Sequence, residues 1–267
     1  MGRIRDAFER ADAEGRAALV IYLCAGDPDL AATPRLIAAA AEAGADVIEI
    51  GMPFSDPTAD GPAIQKASER ALARGATLRG LLDAVREARR TTDVPLLLFG
   101  YYNPILAYGE AKLVSDAAAA GIDGFLVVDL PPEECEPLRT PAVERGLDYV
   151  PLVAPTSNRW RVELAAEVAT AFIYYVSLTG VKGAAGTDIA AAADRAAEVA
   201  RATGLPVALG FGVKSPADVR VAAARCAGVV VGTAVVRQIE AAPDVASAIT
   251  AVRTLVASLS AATVRGG

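Results

Sequence analysis

The most informative absence from this sequence is histidine, which does not occur among its 267 residues. Without histidine, the chain lacks the usual general base of enzymes and the commonest metal ligand. Any proton transfer must therefore use carboxylates, tyrosine, lysine or water. We expect no metal site, and we also expect no bound cofactor.

Positive charge and cysteine are also scarce. The 26 Lys and Arg residues are outnumbered by 32 Asp and Glu residues, which gives a net charge of −6. Such a chain disfavours nucleic acids and acidic membranes as partners. Three scattered cysteines, Cys24, Cys135 and Cys226, lack the spacing of a metal site. We expect them to be free and mostly buried thiols.

Long hydrophobic runs are missing as well. No apolar stretch approaches the roughly 18 residues that a membrane-spanning helix requires. The first residues, "MGRIRDAFERADAEGRAALV", predict a charged helix followed by a strand, without the apolar centre of a signal peptide. We therefore expect a cytoplasmic protein. Hydrophobic residues nevertheless make up 53% of the chain, enough for a sizeable core.

Short runs rich in Val, Ile, Leu and Tyr recur along the chain, and a helical segment follows each run. They lie at 18–26, 46–52, 95–101, 124–130, 148–154, 171–177, 206–212 and 228–234. Strand–helix alternation predicts a parallel sheet. A doubly wound sheet would also alternate, but eight continuous repeats without a linker favour a barrel. We predict an α/β fold, a single (β/α)8 TIM barrel over residues 1–267, with an extra N-terminal helix closing its bottom.

The second predicted strand and the loop after it contain three acids, Glu49, Asp56 and Asp60. Active sites of such barrels lie on the loops after the strands. Glu49 either points into the barrel mouth, where burial would raise its pKa toward the range useful for proton transfer, or is buried against the helices. Each acid also has a structural explanation: an ion pair for Glu49, an Asx-turn for Asp56 and a helix N-cap for Asp60.

Glycine-rich loops after the later strands predict a ligand site. "LGFGVKS" and "VVVGTAVV" end strands seven and eight, and they would let a phosphate approach backbone N–H groups and helix N-termini. "LTGVKGAAGTD" follows strand six and predicts a lid. Plain turns and a surface loop are the alternatives. Tyr101, Tyr102 and Asn103 follow strand three and are either pocket walls or ordinary packing residues.

Six segments together resemble the tryptophan synthase alpha chain family. They are "EIGMPFSDPTADGPAIQ", "YYNPI", "DLPPEE", "YYVSLTGVKG", "GFGV" and "VGTAVV". They occur in order over essentially the whole chain, and "PFSDPTADGP" is highly specific. The resemblance implies a (β/α)8 barrel that cleaves indole-3-glycerol phosphate to indole and glyceraldehyde 3-phosphate. It also implies a place in L-tryptophan biosynthesis and docking on a pyridoxal-phosphate-dependent beta chain, as an α2β2 complex.

The resemblance further implies a role for each matching residue. Glu49 stands at the position of the family's acid/base carboxylate, and Asp60 at that of the carboxylate facing the indole N–H. The apolar walls for the indole correspond to Tyr22, Phe99, Tyr101 and Phe211, with the active-site tyrosine at Tyr174. The phosphate-binding positions correspond to Gly183, Phe211, Gly212, Gly232 and Thr233. The positions facing a beta chain correspond to Asp56, Asn103 and Pro104.

The lid is where this chain departs from the family. Thr179 and Gly180 match the family's lid, but Lys182 stands where a threonine usually helps to hold the lid over Asp60. On closure Lys182 would pair with Asp60 or reach the phosphate, or else it points to solvent. Two further functions stay open: a stand-alone lyase that releases free indole, and a non-catalytic subunit that activates a beta chain. The presence of both Glu49 and Asp60 disfavours the second.

Overall fold

The computed structural model describes residues 2–177 and 188–265 of the chain. In these ranges, parallel strands pair side by side in one nine-stranded sheet. The strands are β1 Ala18–Cys24, β2 Val47–Gly51, β3 Leu96–Gly100, β4 Gly124–Val127, β5 Asp148–Tyr149, β6 Leu152–Val153, β7 Ile173–Val176, β8 Val207–Gly210 and β9 Gly228–Val231.

The fifth predicted strand, 148–154, is divided into β5 and β6. The backbone N–H of Val150 donates to Phe125 of β4, at 2.9 Å, whereas the carbonyl of Pro151 accepts from Tyr174 of β7, at 3.0 Å. Proline has no N–H to donate to a neighbouring strand. The segment therefore stops pairing with β4 at this point and pairs with β7 instead. The strand order is β5-β4-β3-β2-β1-β9-β8-β7-β6. Its first and last strands, β5 and β6, thus belong to the same chain segment, 148–154. The sheet closes into the TIM-barrel fold that the sequence predicts.

Helices surround the strands. They are α1 Arg3–Ala13, α2 Thr33–Glu42, α3 Pro62–Ala73, α4 Leu78–Ala88, α5 Tyr102–Tyr108, α6 Glu110–Ala120, α7 Glu136–Glu144, α8 Arg159–Val168, α9 Ile189–Thr203, α10 Pro216–Ala223, α11 Thr233–Ala241 and α12 Val245–Ala261. A short 3₁₀ helix, Pro132–Glu134, precedes α7.

The strands are buried on both faces. In β1, Leu19, Ile21 and Leu23 belong to the apolar layer between sheet and helices, while Val20 and Tyr22 belong to the interior of the barrel. A strand that is covered on both sides has a continuous run of apolar residues in its sequence, rather than alternating apolar and polar residues. This burial explains why the strands stand out in the sequence.

Helix α1 closes the N-terminal end of the barrel. Its buried residues Ile4, Ala7, Phe8 and Ala11 recur at helical spacing and join the interior of the barrel. The ring of Phe8 stacks on that of Phe172, just before β7, with 4.7 Å between centroids. The opposite end, where the strands finish, is left for function.

The three cysteines, Cys24, Cys135 and Cys226, are free and buried, as the sequence predicts. Within residues 2–177 and 188–265, no helix is long and apolar enough to cross a membrane. The same ranges contain no cluster of three or more side chains suited to hold a metal ion.

Candidate active site

A deep pocket lies at the carboxyl-terminal end of the barrel. It is lined by Tyr22, Glu49, Asp60, Ile64, Phe99, Tyr174, Phe211, Gly212, Val213, Val230, Gly232 and Thr233. The predicted catalytic and substrate-binding residues within the described ranges all line this pocket except Tyr101. Ile64, Val213 and Val230 were not predicted, because an apolar residue in an apolar run carries no distinguishing signal.

A larger cavity of about 800 Å³ adjoins the deep pocket and shares Asp60, Phe99 and Phe211 with it. Its other walls come from the loops that follow β2, β4, β6 and β7. A cavity of this size accommodates a drug-sized ligand. The two spaces together therefore form a path from the barrel surface to the buried carboxyl groups.

Glu49 points into the deep pocket from the middle of β2. Its side chain is 1% exposed, and its Oε1 has no hydrogen-bond partner in the described part of the chain. Burial favours the neutral acid and raises the pKa of Glu49 to about 8. Among the described residues no cation pairs with Glu49, and burial is the cause of this shift, so nothing in residues 2–177 and 188–265 supports the ion-pair explanation. At neutral pH, Glu49 carries a proton that it can donate.

Asp60 is the second carboxyl group of the pocket. Gly61, not Asp60, is the N-cap residue of α3, and no side chain caps that helix, so the N-cap explanation is wrong. The Oδ2 atom of Asp60 instead accepts a hydrogen bond from the Tyr101 hydroxyl, at 3.1 Å. Burial raises the pKa of Asp60 to about 6, and the bond from Tyr101 opposes that rise. Asp60 is therefore mostly ionised at neutral pH.

Tyr101 holds the acidic loop in place rather than lining the deep pocket. Its hydroxyl also accepts a hydrogen bond from the backbone N–H of Ala59, at 3.0 Å. The side-chain amide of Gln65 donates to the carbonyl oxygen of Asp60, at 3.0 Å. Asp60 is thus anchored from two sides, by Tyr101 directly after β3 and by Gln65 in α3.

Tyr174 enters the pocket across a glycine of the neighbouring strand. A Cβ atom at Gly210 would lie 2.0 Å from the Tyr174 hydroxyl oxygen, so a larger residue would displace the ring. Burial, and then the nearby Glu49 and Asp60, raise the pKa of Tyr174 well above its ordinary value. The hydroxyl therefore stays protonated. The neighbouring Tyr175 packs between sheet and helices and therefore points away from the pocket.

Phe211 has a backbone conformation that residues with a side chain rarely adopt. Its φ is +68°, and Gly212 follows with a φ of +86°. The left-handed region costs a residue with a Cβ atom roughly 1–2 kcal/mol. The buried Ser177 stabilises this turn, because its hydroxyl donates to the Phe211 carbonyl oxygen, at 2.7 Å. Ser177 was not predicted, since a serine at the end of a strand has no distinctive pattern.

Comparison with known proteins identifies the family. The sequence model of the tryptophan synthase alpha chain matches residues 8–264. The chain belongs to the tryptophan synthase alpha chain family. The alpha chain of Geobacter sulfurreducens is 49% identical over 240 residues, which are 90% of this chain and 91% of that protein. That of Dechloromonas aromatica is 49% identical over 245 residues, or 90% of each chain.

Solved structures support the same assignment. The tryptophan synthase alpha chain of Legionella pneumophila has a TM-score of 0.89 and 34% identity, covering 98% of this chain and 97% of that one. A chain of the M. tuberculosis tryptophan synthase, in its open form with BRD0059 bound, has a TM-score of 0.89 and 33% identity over 100% of both chains. Membership confirms that the chain is a carbon–carbon lyase of tryptophan biosynthesis.

The predicted lid residues of this alpha chain, Thr179, Gly180 and Lys182, lie outside the described residues, as does the predicted phosphate-binding residue Gly183. The positions expected to face a beta chain lie at the rim of the barrel mouth. Asp56 and Asn103 are exposed there, and Pro104 is half-buried. Their exposure leaves them available to a partner.

The Tyr101→Phe variant tests the contact that lowers the pKa of Asp60. Losing a hydrogen bond to a charged group costs roughly 1.5–3 kcal/mol, so the pKa of Asp60 should rise by about 1–2 pH units. In a pH profile of kcat/KM measured without a beta chain, the acidic limb should move upward by that amount. Tyr102→Phe is the control, since it removes a hydroxyl bonded to Glu110 instead. Superimposable profiles for Tyr101→Phe and the parent would contradict the assignment.

Proposed function

We propose that the deep pocket cleaves indole-3-glycerol phosphate to indole and glyceraldehyde 3-phosphate, with Glu49 as acid/base and Asp60 as the ionised partner of the indole N–H. One observation carries the proposal: two buried carboxyl groups line the same apolar pocket, with pKa values of about 8 and about 6. Two carboxyl groups whose surroundings separate their pKa values are suited to different catalytic roles.

The first half of the reaction needs an acid and a fixed negative charge. Glu49 donates its proton to the ring carbon that carries the glycerol arm, and the ring becomes a cationic indolenine. The carboxylate of Asp60 stabilises the positive charge that develops on the ring nitrogen. Because Tyr101 holds Asp60 in place, little reorganisation is needed as that charge appears.

The second half needs a base at the same place. The carboxylate left on Glu49 takes the proton from the arm hydroxyl next to the ring. The oxygen becomes the aldehyde, the carbon–carbon bond breaks, and its electron pair restores the aromatic ring. Glu49 ends protonated, so the cycle requires no other proton carrier. This economy fits a chain that has no histidine.

The phosphate is held by backbone groups in this proposal. No Lys or Arg is among the described residues that line the deep pocket, although the ligand is an anion. Gly232 is the N-cap residue of α11, and Thr233 is its first residue. Free N–H groups at a helix start bind phosphate. Together with Gly212 after β8, they give the phosphate a site without a charged side chain.

A beta chain is the partner that we propose, in an α2β2 complex. Asp56 and Asn103 are exposed beside the barrel mouth. On the same helix as Asn103, the apolar side chain of Leu106 is 57% exposed. This exposed apolar side chain lies on the helix that also carries Asn103 and Pro104, the positions that the family motif places opposite a beta chain. Docking here would place the partner next to the cavity from which indole must leave.

The Leu106→Asp variant should weaken binding of a beta chain at least about 10-fold, because a charge would have to be desolvated within the interface. Cleavage by the isolated alpha chain should be unchanged, since Leu106 lines neither cavity. Val221→Asp on α10, at a residue 37% exposed, is the matched control. Calorimetric titration with a beta chain measures both variants. Equal affinity of Leu106→Asp and Val221→Asp would locate the interface elsewhere.

The proposed function is tested by assaying purified protein on indole-3-glycerol phosphate, with and without a beta chain. Indole and glyceraldehyde 3-phosphate should form in equal amounts, and a beta chain should accelerate the reaction. Full activity without any response to a beta chain would favour the stand-alone lyase. No cleavage in either assay would favour the non-catalytic subunit and refute the proposal.

A further inference from the structure

Tyr22 differs from an apolar wall because its hydroxyl lies inside the catalytic pocket. The side chain is 4% exposed, and its ring meets that of Phe99 edge-on, with 5.3 Å between centroids. A Cβ atom at Gly51 would lie 2.2 Å from the Tyr22 hydroxyl oxygen. A Cβ atom at Gly232 would lie 3.2 Å from the Cβ of Tyr22. The ring therefore spans from the glycine of the phosphate site to the end of β2.

The hydroxyl lies next to the acid/base carboxyl group. Tyr22 and Glu49 are register partners in adjacent strands. Side chains at positions 49 and 51 point to the same face of β2, because successive residues of a strand alternate. The Tyr22 hydroxyl thus occupies the space that a side chain at Gly51 would fill. This space lies two residues beyond Glu49 along β2, nearer the barrel mouth.

The hydroxyl has unused hydrogen-bonding capacity. Among the described residues, the group that interacts with the Tyr22 hydroxyl by hydrogen bonding is the Cys24 thiol. A thiol is a weak donor and a weak acceptor. Burial, and then the neighbouring Cys24, Asp60 and Glu49, raise the pKa of Tyr22 well above its ordinary value, so it keeps its proton. A hydroxyl that faces the pocket without a good protein partner is free to donate to a bound ligand. Its position in the pocket indicates that the partner arrives with the ligand.

We propose that the Tyr22 hydroxyl donates a hydrogen bond to a hydroxyl oxygen of the substrate's glycerol arm and so selects a hydroxylated arm. The inference rests on the proposed function. With the phosphate at Gly232 and the broken bond at Glu49, the arm between them must run along the Tyr22 ring. Phe99 and Val230, which also line this part of the pocket, offer no polar side-chain atom. Tyr22 supplies the donor that an arm hydroxyl requires.

The test measures binding in a background that cannot turn the substrate over. Glu49→Gln and the double variant Glu49→Gln/Tyr22→Phe are titrated calorimetrically with two ligands. One is indole-3-glycerol phosphate, and the other is indole-3-propanol phosphate, which keeps the ring and the phosphate but lacks both arm hydroxyls. Loss of the Tyr22 hydroxyl should weaken the first ligand about 10-fold and leave the second unchanged within about twofold. Tyr175→Phe in the same background should change neither affinity.

Two results of the titrations would overturn the proposal. Equal weakening of both ligands would show that the ring only packs, and unchanged binding of both would show that the hydroxyl makes no contact. Turnover by the otherwise unchanged protein and by Tyr22→Phe separates this proposal from the function. If the unchanged protein cleaves indole-3-glycerol phosphate, identical kcat/KM for Tyr22→Phe refutes only the hydroxyl contact. If it does not cleave, the proposed function fails and the two titrations still decide whether the hydroxyl binds the arm.

Discussion

Glu49→Gln is expected to lower kcat by about 10²–10⁴, the usual contribution of a positioned proton-transfer group. Glutamine has the same shape as the protonated acid but cannot give its proton to the ring carbon or take one from the arm hydroxyl. Binding of indole-3-propanol phosphate should change by less than about threefold, because that ligand needs no proton transfer. Glu144→Gln, at an exposed position of α7, is the control. A Glu49→Gln variant with half the parent's turnover would contradict the acid/base role.

The same substitution should alter the pH dependence of stability. The pKa of Glu49 is about 8 in the folded protein and 4.5 ordinarily, so the folded state holds a proton that the unfolded state releases. The parent therefore loses stability as the pH rises from about 4.5 to about 8. Glu49→Gln has no such loss. The free energy of unfolding of the variant should therefore exceed that of the parent by an amount that grows over this interval to a few kcal/mol. An advantage independent of pH would show that Glu49 is not buried as a neutral acid.

Asp60→Asn should lower kcat by about 10²–10³, the usual effect of removing one preorganised electrostatic contact to the transition state. The asparagine oxygen can still accept the hydrogen bond from Tyr101, so the loop should keep its position. Only the negative charge opposite the indole N–H is lost. KM should change little, because the ring nitrogen carries no positive charge in the ground state.

The pH dependence of kcat/KM tests the role of Asp60 more directly. Since Asp60 must be ionised and Glu49 protonated, kcat/KM of the parent should be bell-shaped, with limbs near pH 6 and pH 8. Asp60→Asn should abolish the acidic limb and keep the basic one. Asp56→Asn, in the same loop but exposed, should retain both limbs when assayed without a beta chain. An acidic limb that persists in Asp60→Asn would belong to another group.

The barrel could be predicted because its evidence is local. Each strand is an apolar run, and each run is followed by a helical segment, so eight repeats can be counted without knowing any contact between them. The departure from that count at 148–154 also has a local cause, because Pro151 has no N–H and interrupts the ladder. The plug formed by α1 was also predictable, because Ile4, Ala7, Phe8 and Ala11 recur at helical spacing.

The site was predictable as a set of residues but not as an arrangement. Glu49, Asp60 and Tyr174 were identified by the family motifs, and all three line the pocket. The function of Tyr101 was only half predicted, because its hydroxyl bonds to a loop 41 residues earlier in the chain. Ser177 was missed for the same reason: its partner, Phe211, lies 34 residues away.

The sequence by itself determined the fold, the end of the barrel that is active, and which carboxyl groups are available in a chain without histidine. Only the tertiary structure decided that Glu49 faces inward as a neutral acid, that Asp60 stays ionised beside Tyr101, and that the Tyr22 hydroxyl enters the pocket. Strand and helix patterns depend on neighbours in the chain, which a sequence displays. Protonation states and free hydroxyls depend on burial and on atoms from other strands, which meet only when the sheet closes.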